Sequence, residues 1–165
     1  MRSFGALKLM RLPVLLAVLL LIGTEVLAQG TLDVEKAVKI GDGRITVIEF
    51  TDPDCSFCRK AEKYFEKRTD VTRYVFFLPL KMHPMAKAKV QYVLSSRDKA
   101  KAFQEVSSDS FDRKKLSEIT PAGMKLQEEH EQMARAHKIS ATPTFMIKGN
   151  VVEGLDLKKL EPLLK

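Results

Sequence analysis

The chain has 165 residues and a formal net charge of +7, with basic and acidic residues interleaved, as in Arg97-Asp98-Lys99 and Lys125 to Glu131. Such mixing fits solvated helix faces and excludes the clustered basic footprint of a nucleic-acid binder. There is no internal repeat, low-complexity tract or long linker, so the part after the leader reads as one domain, burying about two thirds of its unfolded surface.

Residues 1–28 have the pattern of a signal peptide. Arg2, Lys8 and Arg11 form a basic start, Leu12 to Ile22 an apolar run, and Val26-Leu27-Ala28 a small-residue cleavage site. The run is shorter than the ~20 apolar residues of a spanning helix and is interrupted by Glu25. Cleavage near Ala28 is therefore expected in preference to an uncleaved anchor. The 137 residues from Gln29 carry 25 Lys and Arg against 20 Asp and Glu. An exported chain whose only cysteines form one dithiol belongs in an oxidising compartment, periplasmic or secreted.

Residues 29–40 form a lead-in, with helical character over Thr31 to Lys39, and the folded domain is expected over 41–165. Gly41-Asp42-Gly43 is a turn before the first expected strand, Ile45 to Phe50. That strand is apolar on both faces and suits a sheet centre. It runs into Cys55-Ser56-Phe57-Cys58, which holds both cysteines of the chain. A strand leading into C-x-x-C at a helix start reads as a redox dithiol. In the first helical turn, Cys55 meets unpaired N–H groups and the positive dipole end, so a lowered thiol pKa is expected there. Cys58, on the same helix face, is expected to be more buried and to titrate higher. Cys55 is then the attacking sulfur and Cys58 the resolving one.

C-x-x-C is also half of a zinc site, but a structural zinc needs four ligands. His130 and His137 lie seven residues apart on one expected helix, about 10 Å of rise, and cannot both reach one ion. No metal is expected. The helix continues through Arg59 to Lys67, and a second strand is expected over Thr72 to Leu80, ending at Pro79. From Pro84 to about Ser140 the pattern turns helical. Pro84 suits a first helical position, Ser95 or Ser96 a second cap, and Thr120-Pro121 the cap and first position of a third helix. His130 and His137 fall on the apolar stripe of that third helix and read as half-buried packing residues. Thr144 to Ile147 and Val151 to Glu153 form a hairpin about Lys148-Gly149-Asn150, and Asp156 is placed to cap a final helix containing Pro162.

The order of these elements resembles a thioredoxin fold, α/β with a helical insertion over about 84–140, between the second strand and the cis-Pro hairpin. The match resembles the exported thiol:disulfide interchange proteins, most closely the DsbC/DsbG-like branch. It rests on Phe50 to Lys60 around the dithiol, on Leu80 to Ala86 with His83-Pro84, and on Ala141-Thr142-Pro143-Thr144-Phe145. C-x-x-C alone is weak; joined to a Thr-Pro about 85 residues later and before a hairpin, it is specific.

The resemblance implies that Cys55 and Cys58 are the catalytic pair. It implies a cis Thr142-Pro143 facing them, with neighbouring backbone free to pair with an extended substrate. Glu49 stands where thioredoxins and DsbA-like oxidases carry a buried acid, and where the DsbC/DsbG branch has an apolar residue. A carboxyl there would be raised by desolvation and would take the Cys58 proton during resolution. Ser56 and Phe57 are the redox-tuning pair, with Ser56 in place of the common glycine or proline.

The implied function is an exported thiol-disulfide oxidoreductase or isomerase acting on cysteine-containing exported proteins. It needs no cofactor beyond the Cys55–Cys58 disulfide and a membrane redox partner that sets the direction of electron flow. The isomerases of this branch dimerise through a separate N-terminal domain, and only about ten residues precede the lead-in here, so a monomer is expected. A specialised reductase for apocytochrome or metal-site maturation, and a non-enzymatic metal- or peptide-binding module, remain the alternatives.

Overall fold

The computed structural model describes residues 32–108 and 110–165; the signal peptide read over residues 1–28 and its cleavage site lie outside the described residues. Five strands form one sheet: β1 (Val38–Ile40), β2 (Ile45–Thr51), β3 (Val71–Phe77), β4 (Thr144–Ile147) and β5 (Asn150–Glu153). Their order is β1-β3-β2-β4-β5, with β2 and β3 parallel and the other neighbours antiparallel. The parallel pair needs a crossover, and α1 (Ser56–Phe65) supplies it. The remaining helices are α2 (Ala86–Ser95), α3 (Lys99–Val106), α4 (Pro121–Ala136) and α5 (Leu157–Leu163).

Helix α1 buries Cys58, Ala61, Glu62 and Phe65, the i, i+3, i+4, i+7 spacing of one helix face. Ala61 and Phe65 rest with Leu160 and Leu164 on Val47, Phe145 and Ile147 of the central strands. Ala61 is fully buried, so a larger side chain would have to displace the strands, at a cost of about 1–3 kcal/mol. A second cluster sets Val75 and Phe77 of β3 against Val90, Val93 and Phe103 of α2 and α3. Phe50 and Phe76 stack with ring centroids 5.4 Å apart and pack on Ala134 and Ile139 at the end of α4.

The expected order of elements is present, with local differences that have physical causes. The lead-in contains one 3-10 turn, Val34–Lys36, and then β1, which pairs Val38 with Val75. The second strand ends at Phe77, and Leu78 N turns inward to Thr51 O. Helix α2 starts at Ala86 after Met85 and not at Pro84. The cap of α3 is Asp98, whose carboxylate accepts from Lys101 N. Ser95 is otherwise engaged: it donates to Gln91 O and accepts from Thr120 N. There α2 and α4 approach so closely that a Cβ on Gly123 would clash with Ser95 Oγ. Thr120 caps α4 with Pro121 in its first turn, and Asp156 caps α5, as their sequence signals imply.

Candidate active site

Strand β2 ends at Thr51 and the chain turns through Asp52-Pro53-Asp54 into Cys55, the N-cap of α1. The turn closes with Cys55 N donating to Asp52 O at 3.1 Å. The Asp52 side chain has no exposed surface. Asp52 Oδ1 accepts from Asp54 N at 2.8 Å, and Oδ2 accepts from Leu80 N at 2.7 Å and meets His83 Nδ1 at 2.9 Å. A buried carboxylate needs such donors. The Asp52 amide in turn donates to Cys58 Sγ at 3.4 Å. One residue thus joins the Cys58 sulfur to the loop after β3. Asp54 adds a second tie, an ion pair with Lys89 of α2 at 2.6 Å.

Both thiols are free and buried, Cys58 at 2% exposure and Cys55 at 8%. Cys55 Sγ donates to Thr142 O at 3.6 Å across the cis Thr142–Pro143 bond. The cis bond implied by the resemblance is present, and Cys55 and Thr142, 87 positions apart in sequence, are in contact. Burial pushes the Cys58 thiol up to about 12. The Thr51 hydroxyl, the Asp52 amide and the Thr142 hydroxyl act against that rise, and the nearby Cys55 adds to it. Ser56 is exposed, and Phe57 is 56% exposed with Lys60 Nζ 5.1 Å from its ring centroid. The exposed ring of Phe57 within the C-x-x-C, with Met82 exposed on the loop tied to Asp52, leaves apolar surface uncovered around the dithiol.

Glu49 is fully buried, two residues before Thr51 and on the same face of β2. Its carboxyl lies above the usual carboxylate range because burial raises it; Arg73 opposes that rise and Glu62 reinforces it. Arg73 of β3 holds both acids. Its Nη1 donates to Glu49 Oε2 at 3.0 Å and to Glu62 Oε2 at 2.7 Å, and its Nη2 donates to Glu62 Oε1 at 2.8 Å. The guanidinium also sits 5.1 Å from the Phe65 ring centroid. This buried triad links β2, β3 and the helix that carries Cys58.

The structure thus brings Cys55, Cys58 and Thr142 together at one end of the sheet, with Ser56, Phe57 and Pro143 adjoining them in the chain and Glu49 two residues before Thr51 on β2. Thr51, Asp52, Glu62 and Arg73 complete the setting and were not singled out by sequence. Asp52-Pro53-Asp54 is a turn signal that could have drawn attention to Asp52, and Arg73 is a charge inside an otherwise apolar strand. His83 meets Asp52 at the site edge. His130 belongs to the core, fully buried, with Nδ1 accepting from Phe77 N and Nε2 against Lys36 O; His137 is half-buried. Among the described residues, no three His, Cys, Asp or Glu side chains gather as a metal site. A groove of about 570 Å³, lined by Arg44, Ile45, Thr46, Ile48, Met146 and Lys148, lies at the other end of β2 and does not include the dithiol.

The thioredoxin-like domain model matches residues 32–161. Over 70 residues the chain is 31% identical to the probable thiol:disulfide interchange protein DsbC of Bordetella pertussis. That match takes in 42% of this chain and 24% of the relative, so the chain spans about a quarter of the length of the curated relatives it matches. Among solved structures, a disulfide interchange protein from Neisseria gonorrhoeae is 29% identical with a TM-score of 0.65, covering 79% of this chain and 94% of that one. The catalytic domain of Proteus mirabilis ScsC, 24% identical with a TM-score of 0.63 over 78% of this chain and 87% of that one, agrees in fold.

Proposed function

The chain belongs to the thioredoxin-like domain family, and we propose that it is an exported thiol-disulfide oxidoreductase that exchanges disulfides with cysteine-containing proteins of the periplasm. The observation that carries this reading is the pairing of a helix-capping Cys55 with a buried Cys58 under the Thr142 carbonyl. A negative charge on Cys55 Sγ faces the positive end of α1, which suits it to attack a substrate disulfide. Cys58 is enclosed and keeps its proton until the mixed disulfide is to be resolved.

Resolution then requires a base, because a thiol held up to about 12 is almost wholly protonated at neutral pH. Glu49 is assigned as the acceptor: it is a buried carboxyl on the face of β2 that α1 covers, with Oε1 left unpaired. A general base of this kind contributes about 10²–10⁴ in rate. Thr142 and Pro143 present backbone to an extended substrate, and Ser56 and Phe57 border the sulfurs on the exposed side. The groove at the far end of β2 does not include the dithiol, and the exposed Phe57 and Met82 around the dithiol fit a polypeptide substrate.

The signal-peptide pattern over residues 1–28 supports export, with a membrane redox partner returning the dithiol to its working state. The equilibrium potential of the Cys55–Cys58 pair against glutathione assigns the direction of flow. The reading is tested by Cys58→Ser in periplasmic extract. Adducts on non-reducing gels that disappear with dithiothreitol, and are absent from Cys55→Ser, are expected. Adducts from neither variant would overturn the enzyme assignment.

A further inference from the structure

Among the described residues, three side-chain oxygens are buried without a hydrogen-bond partner: Thr51 Oγ1 and Thr142 Oγ1, whose hydroxyls act on Cys58, and Glu49 Oε1, two residues before Thr51 on β2. Buried polar groups are rarely left unpaired, and each such atom costs about 1–3 kcal/mol. Their arrangement follows from the sheet. Glu49 and Thr51 are two residues apart on β2, so both side chains leave the same face. Arg73 Nη1 takes Glu49 Oε2, which fixes the carboxyl and leaves Oε1 as its open acceptor.

The Thr51 hydroxyl lies within influence of two groups at once. It favours the thiolate of Cys58 and the carboxylate of Glu49, yet completes a full hydrogen bond to neither in the dithiol state. Of the side chains acting on Cys58, it is the one that also acts on Glu49. A hydroxyl is both donor and acceptor and rotates freely, which a relay requires.

We propose that the Thr51 hydroxyl passes the proton of Cys58 Sγ to Glu49 Oε1 during resolution, an assignment that rests on Glu49 being the acceptor in the function proposed above. Thr51 Oγ takes the thiol proton as its own hydroxyl proton moves to Glu49. The freed Cys58 sulfur attacks Cys55 Sγ in the mixed disulfide. The Cys55–Cys58 bond forms, the bond between Cys55 and the substrate sulfur breaks, and its electron pair leaves with the substrate. The substrate cysteine is reduced, the Cys55–Cys58 pair is oxidised, and one proton rests on Glu49.

The test is stopped-flow reaction of the purified reduced protein with dithiobis-nitrobenzoate, which releases one coloured thiolate on attack by Cys55 and a second on resolution by Cys58. Thr51→Val keeps the shape and removes the hydroxyl. It is expected to slow the second release by about tenfold or more at pH 7 with the first release unchanged. Its pH profile should lose the inflection of Glu49 and rise with hydroxide alone. Thr51→Ser should recover the rate and the inflection, and Thr51→Val should add nothing in a Glu49→Gln background. Wild-type resolution in Thr51→Val, alongside slow resolution in Glu49→Gln, overturns the relay and leaves the acceptor standing. Wild-type resolution in Glu49→Gln overturns the acceptor, and the relay with it.

Discussion

Replacing Arg73 with Met removes one positive charge from between two buried carboxyls. Arg73 is 4% exposed, Glu62 4% and Glu49 0%, so water cannot take over the lost contacts. Breaking a buried ion pair from one side costs about 3–5 kcal/mol, a large part of the roughly 5–15 kcal/mol that stabilises a domain. With a urea slope of about 2 kcal/mol per molar, the midpoint should fall by about 2 M. The loss should also depend on pH. Burial already raises the Glu49 carboxyl and Arg73 opposes that rise; without Arg73 the folded-state value climbs further above its unfolded value. A carboxyl raised in the folded state binds more protons there, so its penalty is greatest at neutral pH and shrinks as pH falls towards 5. Urea unfolding followed by far-ultraviolet circular dichroism at pH 7 and pH 5 measures both effects. Arg73→Lys, which keeps the charge but not the two-pronged grip on Glu62, should fall between the variant and the wild type. A loss under about 1 kcal/mol, or an equal loss at both pH values, would refute the view of Arg73 as the counter-charge of this cluster.

Iodoacetamide at pH 7.5 followed by peptide mapping should modify Cys55 and spare Cys58, whose thiol burial pushes up to about 12; preferential modification of Cys58 would reverse their roles. Burial lowers His130 from 6.5 to about 4, so the unfolded chain binds its proton first as pH falls. This one group should remove up to about 3 kcal/mol of stability between pH 6.5 and 4, seen as the difference between the pH–stability curves of wild type and His130→Gln. Asp52→Asn keeps the size of a side chain that serves Asp54 N, Leu80 N and His83 but replaces one of its two acceptor oxygens with an NH2 donor. It should cost about 1–3 kcal/mol and speed hydrogen exchange at Leu80, and unchanged exchange there would show that the loop is held elsewhere.

The local signals that read well in sequence are those whose cause lies within a few residues. Thr120-Pro121 and Asp156 cap their helices because the hydroxyl and carboxylate reach N–H groups one turn away. The dithiol reads well because strand, turn and helix start are contiguous. Where distant groups compete, local signals mislead. Ser95 has the chemistry of a cap, but Gln91 and Thr120 claim its hydroxyl and the role passes to Asp98. Strand β1 has three residues, too few for alternation to emerge, and exists because Val75 and its neighbours offer an edge. Glu49 could be placed near the dithiol by resemblance alone. Its counter-ion could not be read, since Arg73 lies 24 residues away and meets it only once β2 and β3 are in register.

The contact between Cys55 Sγ and Thr142 O also bears on timing. At that end of the hairpin, Pro143 O is already taken by Gly154 N at 2.7 Å, so the acceptor facing the sulfur is the carbonyl of Thr142. In the dithiol the thiol hydrogen occupies it. Ionising Cys55 removes that hydrogen, and in the same event creates the nucleophile and uncovers a backbone acceptor beside it. Under the function proposed above, an arriving strand that offers an amide there would be docked where, and when, the sulfur becomes able to attack.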